Sequence, residues 1–83
     1  MINIVFFAKY REMSGLSSTS CASTEAADLT ALRALLTEQY GSRMAGILDD
    51  PRCLTACNQQ LVTGNAALHD GDEVAFFPPV TGG

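Results

Sequence analysis

Short runs of alternating apolar and polar residues predict a sheet of about five β-strands. In the first run Ile4 and Phe6 share one face and Phe7 takes the other, because successive side chains of a strand point to opposite faces. The polar run after it predicts the second strand of a hairpin. The predicted strands are Ile2 to Ala8, Ser17 to Cys21, Cys53 to Asn58, Leu61 to Val62 and Glu73 to Phe77.

A longer segment with leucines three and four residues apart predicts one main helix. Asp28 is a good N-cap residue, and Gly41 is a natural residue to end the helix. Residues 43–48 predict a short second helix, and residues 10–15 are predicted to be a loop. The apolar stripe expected to face the core consists of Leu29, Leu32, Leu35, Leu36 and Tyr40.

One helix laid across one face of a mixed sheet is a two-layer α+β domain. In the last strand Phe76 points towards the helix and Phe77 points away from it. If the first strand runs beside the last, Phe7 and Phe77 lie together on the face without a helix. Two neighbouring exposed phenylalanines in so small a domain indicate a surface for a partner protein. Ordinary surface aromatics are the alternative.

The last strand leads into Pro78-Pro79-Val80-Thr81-Gly82-Gly83. Proline cannot donate a backbone hydrogen bond, so the proline pair should end the β-ladder. Glycine has no Cβ, so another molecule can approach Gly82 and Gly83 closely. We therefore predict a globular domain over residues 1–79 and a flexible tail over residues 80–83, with the terminal carboxylate of Gly83 as the reactive group. A frayed terminus is the alternative.

Composition limits the classes of function. The 83 residues are 47% hydrophobic and 17% charged, which is typical of one small globular domain. A net charge of −4 and only five scattered basic residues argue against a nucleic-acid partner. No apolar run reaches the ~20 residues that span a bilayer, and the start of the chain lacks the basic segment of a signal peptide. We expect no membrane partner and a cytoplasmic location.

Side-chain chemistry is not indicated by any motif. The sequence contains no phosphate-binding loop, no nucleophile elbow and no H-E-x-x-H zinc motif. The acidic residues at 70, 72 and 73 predict a solvated turn, with a docking patch for a basic partner as the alternative. We expect no bound metal or cofactor, and three buried, reduced, structural thiols at Cys21, Cys53 and Cys57.

Several segments together resemble the small subunit of molybdopterin synthase, over essentially the whole chain. The most specific is the block from Asp70 to Gly83, which reads Asp-Gly-Asp-Glu-Val-Ala-Phe-Phe-Pro-Pro-Val-Thr-Gly-Gly. A Gly-Gly end alone is shared with thiamine sulfur carriers and ubiquitin-like modifiers, whereas the whole block is typical of this branch. The other segments are Ile4 to Ala8 with Arg11-Glu12, Ala31-Leu32-Arg33, and Asn58-Gln59 before Leu61-Val62.

The resemblance implies a β-grasp, ubiquitin-like fold and a role in molybdenum cofactor biosynthesis. It implies that an E1-like enzyme uses ATP to adenylate the carboxylate of Gly83, which is then converted to a thiocarboxylate with sulfur from a donor protein. In the active site of the large synthase subunit the sulfur passes to cyclic pyranopterin monophosphate. Two transfers build the molybdopterin dithiolene, in a heterotetramer of two small and two large subunits.

The resemblance also implies which residues meet the large subunit. Phe7, Leu61 and Phe77 match positions that contact it in the family. Arg11 either joins that interface or is a plain surface charge. The tail is implied to enter the active site of the large subunit, where the prolines reduce the entropy lost on ordering. The residues concerned are the two prolines before the tail, Pro78 and Pro79, and the tail residues Val80, Thr81, Gly82 and Gly83.

Other functions share the Gly-Gly end. The chain could carry sulfur for thiamine synthesis or transfer-RNA thiolation, and the identity of the acceptor would distinguish these pathways. It could be a ubiquitin-like protein modifier, although its only lysine, Lys9, argues against chains of the modifier itself. It could also be a binding module with an inert tail, whose binding would survive removal of the tail.

Overall fold

The computed structural model describes residues 1–79, and this part of the chain forms a five-stranded mixed sheet packed against helices. The predicted tail, Val80 to Gly83, lies outside the described residues. The strands are β1 (Ile2–Phe6), β2 (Ser18–Cys21), β3 (Leu54–Cys57), β4 (Gln60–Val62) and β5 (Glu73–Phe77), and the helices are α1 (Lys9–Ser14), α2 (Leu29–Tyr40) and α3 (Ser42–Leu48).

The strands are ordered β2-β1-β5-β3-β4, so the last strand in sequence lies in the centre of the sheet. β5 is parallel to β1, with Phe76 opposite Phe6, and antiparallel to β3, with Phe76 opposite Thr55. β2 and β4 form the two edges and pair antiparallel with β1 and β3. The predicted α+β class, and the predicted neighbourhood of the first and last strands, are confirmed.

The core lies between the helices and one face of the sheet. Ile4, Phe6, Val74 and Phe76 are fully buried there, and the Phe6 and Phe76 rings stack with their centroids 5.8 Å apart. Each fully buried side chain of this size contributes about 1.5–3 kcal/mol relative to an exposed one. The helices cover this face with Tyr10 from α1, Leu29, Leu32 and Leu36 from α2, and Met44, Ile47 and Leu48 from α3.

Helix α2 begins where its cap was predicted. The Asp28 carboxylate accepts a hydrogen bond from the backbone N–H of Ala31 at 2.8 Å and a second from the amide of Asn65 at 3.2 Å. These two bonds, the backbone bond above all, lower the pKa of Asp28. Gly41 ends the helix with a φ of +80°. In the part of the chain that the structure describes, no helix has the length and apolar character needed to cross a membrane.

Tyr40, predicted to extend the apolar stripe of α2, is instead 39% exposed. It belongs to the last turn of α2, which lies beside the edge strand β2, and its hydroxyl is 2.9 Å from Oγ1 of Thr19. The prediction was wrong because the core ends at this edge, and the phenol bonds there at the surface.

The predicted loop over residues 10–15 is wrong, because Lys9–Ser14 forms helix α1. Tyr10 is fully buried, and its hydroxyl donates to Oδ2 of Asp50 at 2.8 Å, so tertiary packing holds this short helix. Burial, followed by the bond to Asp50, raises the pKa of Tyr10. Ala8 offers no side-chain cap, so the sequence lacked a start signal. The first strand ends at Phe6 rather than Ala8, because the chain turns at Ala8, which has a φ of 53°. The prediction of two helices was therefore incomplete.

Candidate functional site

The face of the sheet opposite the helices is apolar and has small residues at its centre. Val5, Ala75, Ala56 and Leu61 lie directly across from one another on β1, β5, β3 and β4. Residues directly opposite in a sheet point to the same face, so these four form one row. The two alanines in the middle leave a depression between larger side chains. We call this side of the sheet the open face.

A groove of about 720 Å³ runs along β5 on the open face. Phe7 is 45% exposed at one side of it, and Phe77 is half-buried. Glu73 contributes the one charged side chain of its lining, so the groove is apolar with a single carboxylate near one end. We call it the open-face groove; its lining residues are Phe7, Ala8, Gln59, Glu73, Ala75, Phe77, Pro78 and Pro79.

The parallel pairing of β1 with β5 places Phe7 beside Phe77. Phe6 is opposite Phe76 in the register, and the backbone N–H of Phe7 donates to the carbonyl of Phe76 at 3.1 Å. The next residue of each strand therefore points to the open face. The predicted placement of Phe7 and Phe77 together, away from the helices, is confirmed, and their role as partner contacts stays a prediction.

The other predicted contact residues divide into three groups. Pro78 and Pro79 line the open-face groove beside Phe77. Leu61 is 61% exposed on the open face at the edge strand β4, next to the groove rather than in its lining. Arg11 is exposed on α1 and does not line the groove.

The predicted reactive residue Gly83 lies outside the described residues, together with Val80, Thr81 and Gly82. Pro79 is the last described residue and lines the open-face groove. The chain therefore continues into these four residues directly from the end of the groove.

A pair of hydrogen-bonded side chains, which the sequence analysis missed, fixes the far end of the groove. Nδ2 of Asn58 donates to Oδ1 of Asp72 at 2.9 Å, and Oδ1 of Asn58 accepts from the backbone N–H of Glu73 at 3.0 Å. The bond from Asn58, followed by one from the N–H of His69, lowers the pKa of Asp72. These bonds position Gln59 and Glu73, which line the groove. The sequence showed two turns here, without a sign that they meet.

The three thiols lie apart from the groove and form no disulfide. Cys21 is buried as predicted, whereas Cys53 and Cys57 are half-buried. Burial raises the pKa of each thiol, and the carboxylate of Asp72 adds to the effect at Cys57. Thiols with raised pKa values are protonated near pH 7 and are weak nucleophiles. Within residues 1–79, no group of three or more His, Cys, Asp or Glu side chains is arranged to hold a metal ion.

The amino-acid sequence of this chain matches a known protein family. The ThiS family model matches residues 4–83. The chain is 47% identical over 83 residues to the molybdopterin synthase sulfur carrier subunit of Escherichia coli strain K12, and the alignment covers all of both chains. The similarity therefore includes the last four residues.

Two solved structures extend the comparison to three dimensions. A complex of subunits 1 and 2 of the molybdopterin-converting factor from Helicobacter pylori 26695 contains a chain with a TM-score of 0.71 and 30% identity, over 99% of this chain and 97% of that one. The SAMP1 protein of Haloferax volcanii has a TM-score of 0.80 over 99% of this chain and 98% of its own, at 22% identity. The second likeness shows the fold alone, and together they confirm the predicted β-grasp fold.

Proposed function

We propose the function of this chain from its family. The chain belongs to the ThiS family. The chain is the sulfur carrier subunit of a molybdopterin synthase, the role for which its relative from Escherichia coli is named. That relative is matched over its full length, so its last residue corresponds to Gly83. The reactive group in this proposal is the carboxylate of Gly83.

The observation that carries the proposal is the position of the open-face groove. Phe7 and Phe77 form an exposed apolar surface, and the same strand that supplies Phe77 continues through Pro78 and Pro79 into the Gly-Gly end. A partner that covers the groove is thereby held next to the start of the tail. The large synthase subunit is that partner, which the two-subunit complex from Helicobacter pylori supports.

The proposed chemistry begins with activation of a poor electrophile. In an E1-like enzyme, a carboxylate oxygen of Gly83 attacks the α-phosphorus of ATP, and pyrophosphate leaves. A hydrosulfide ion, which a thiol reductant releases from the persulfide of a donor protein, then attacks the acyl carbon, and AMP leaves with the electron pair of the broken bond. The product is a thiocarboxylate on Gly83. ATP is bound by the activating enzyme, and this chain holds no cofactor of its own.

Transfer takes place in the large subunit. The tail carries the thiocarboxylate into its active site, where the sulfur bonds to a carbon of cyclic pyranopterin monophosphate and displaces an oxygen substituent. Water then cleaves the acyl–sulfur bond and restores the carboxylate of Gly83. Two such transfers supply the two sulfurs of the molybdopterin dithiolene. Gly82 and Gly83 suit this passage, because residues without a Cβ pass through a narrow channel without side-chain clashes. The protonated thiols of Cys21, Cys53 and Cys57 do not compete for the activated acyl group.

Mass spectrometry of the intact chain tests the proposal. After incubation with the activating enzyme, ATP and a sulfur donor, we expect a species about 16 Da heavier, the difference between a sulfur and an oxygen atom. Deletion of Gly83 should abolish the shift and leave the thermal unfolding midpoint unchanged. An unmodified wild-type chain, under conditions in which the carrier from Escherichia coli gains the mass, would contradict the proposal.

A further inference from the structure

Strained backbone in the described part of the chain is concentrated at the open-face groove. Among residues 1–79, the non-glycine residues with positive φ are Ala8, Asn58 and Gln59, at 53°, 52° and 69°. Asparagine is one of the residues that tolerate this region, and the side chain of Asn58 is also held by its hydrogen bond to Asp72. The other two, Ala8 and Gln59, both line the groove. The glycines with positive φ, which adopt it without strain, are Gly15, Gly41, Gly64 and Gly71, and none of them lines it.

Ala8 occupies a backbone conformation that favours glycine. Its φ of 53° and ψ of −131° are those of the second residue of a type II′ turn. The backbone N–H of Tyr10 donates to the carbonyl of Phe7 at 3.1 Å and closes that turn. A Cβ is strained in this conformation. Glycine would therefore serve the turn better than alanine does.

Gln59 also has a backbone conformation that favours glycine, but in a different kind of turn. Cys57 pairs with Gln60 across the hairpin, so Asn58 and Gln59 form its two-residue loop. Both residues have positive φ, as a type I′ turn requires, and glycine is preferred at the second of the two positions. Gln59 is exposed, and its side-chain amide makes no hydrogen bond within residues 1–79 that would explain the choice.

The two strained residues mark opposite ends of the groove. Ala8 follows β1, which is parallel to β5, so it lies at the end where Phe77 leads into Pro78. Gln59 follows β3, which is antiparallel to β5, so it lies at the end where Glu73 begins that strand. A partner seated along β5 therefore meets both side chains, one at each end.

We propose that Ala8 and Gln59 are specificity-determining contacts with the large synthase subunit, present at a cost to the stability of the free chain. The methyl group of Ala8 extends the apolar surface of Phe7 at the tail end and packs against an apolar side chain of the partner. The amide of Gln59 bonds to a polar group of the partner beside Glu73. This inference rests on the proposed function, and it assigns these roles to residues whose backbone conformation favours glycine.

The variants Ala8→Gly and Gln59→Gly separate the two effects, because stability and binding should change in opposite directions. Each variant should raise the thermal unfolding midpoint by about 2–5 °C, since relief of strain exceeds the added chain entropy. Each should bind the large synthase subunit of the same organism about three- to tenfold more weakly by calorimetry, as expected for one lost methyl contact or hydrogen bond. A loss of structure would lower both quantities together.

Ala34→Gly is the matched control, because Ala34 is exposed within α2 and lies away from the groove. It should lower the unfolding midpoint, as glycine does inside a helix, and leave the affinity unchanged. The inference is overturned if Ala8→Gly and Gln59→Gly fail to raise the midpoint, or if both bind as tightly as the wild-type chain. If the wild-type chain itself does not bind the large subunit, the proposed function fails first and the inference falls with it.

Discussion

The amide of Asn58 donates to the carboxylate of Asp72 at 2.9 Å and joins the β3–β4 turn to the loop before β5. The backbone takes part as well, since the N–H of Asn58 donates to the carbonyl of Glu73 at 2.8 Å. Asp72 also accepts from the N–H of His69 at 2.8 Å. This contact sets where β5 begins, and with it the end of the groove that Gln59 and Glu73 form.

Replacing Asn58 with alanine should lower the free energy of unfolding by about 2–3 kcal/mol. The variant loses the side-chain hydrogen bonds with Asp72 and Glu73, and it places alanine, which tolerates left-handed backbone less well than asparagine, at a φ of 52°. Urea denaturation measures the change. Asn58→Gly is the control, because it loses the same bonds and keeps a tolerant backbone, so it should cost less. Equal losses in the two variants would show that the positive φ contributes nothing.

Acid should destabilise the fold through Asp28 and Asp72. Their pKa values in the folded chain lie below the ordinary value of 3.8, because hydrogen bonds favour the charged forms. The stabilisation is therefore complete above that value and is lost as the pH falls through the folded pKa values. Unfolding midpoints measured from pH 6 to pH 2 should drop below about pH 4. Asp72→Asn should flatten this drop; a drop of the same depth in the variant would contradict the assignment.

Tyr10→Phe should lower the free energy of unfolding by about 1–2 kcal/mol, because it leaves the buried ring in place and removes only the bond to Asp50. Tyr40→Phe is its matched control, since the Tyr40 hydroxyl bonds to Thr19 at the surface. That variant should change stability by less than about 0.5 kcal/mol. Chemical denaturation of both gives the comparison, and equal effects would mean that the bond to Asp50 does not anchor α1.

Phe7→Ala should weaken binding of the large synthase subunit by about tenfold to a hundredfold, as expected for an aromatic anchor residue of an interface. Its effect on the unfolding midpoint should be small, because Phe7 is 45% exposed. Met13→Ala provides the control: Met13 is 39% exposed on α1 and does not line the groove. Calorimetric titration of both variants checks the prediction. Equal affinities for the two would place the interface elsewhere.

The sequence predicted the elements whose signals are local. Helix α2 has a cap at Asp28 and a leucine stripe. The alternation in β5 put Phe77 on the other face of the sheet from Phe76. Both elements, and the residues of β5 on the open face, therefore followed from short-range patterns. Helix α1 has no cap, and it exists because Tyr10 is buried against the rest of the fold.

The contact between Asn58 and Asp72 was equally out of reach. Asp72 is fourteen positions after Asn58 in the sequence, and each residue is of a type common in turns. The strain at Ala8 was hidden for a similar reason, since its φ depends on how β1 turns into α1. The features that the sequence did not predict are therefore determined by tertiary contacts rather than by local residue patterns.

The central position of β5 also governs when the domain can form during synthesis. β5 is the last of the five strands to be made, and it joins the β1–β2 pair to the β3–β4 pair, so the two parts of the sheet stay unconnected until the ribosome has translated beyond Phe77. A chain that ends before β5 leaves an open edge on β1 and on β3 and lacks the core residues Val74 and Phe76, which makes it prone to aggregation. A chain must therefore extend through Phe77, just before the tail begins, before the sheet is complete.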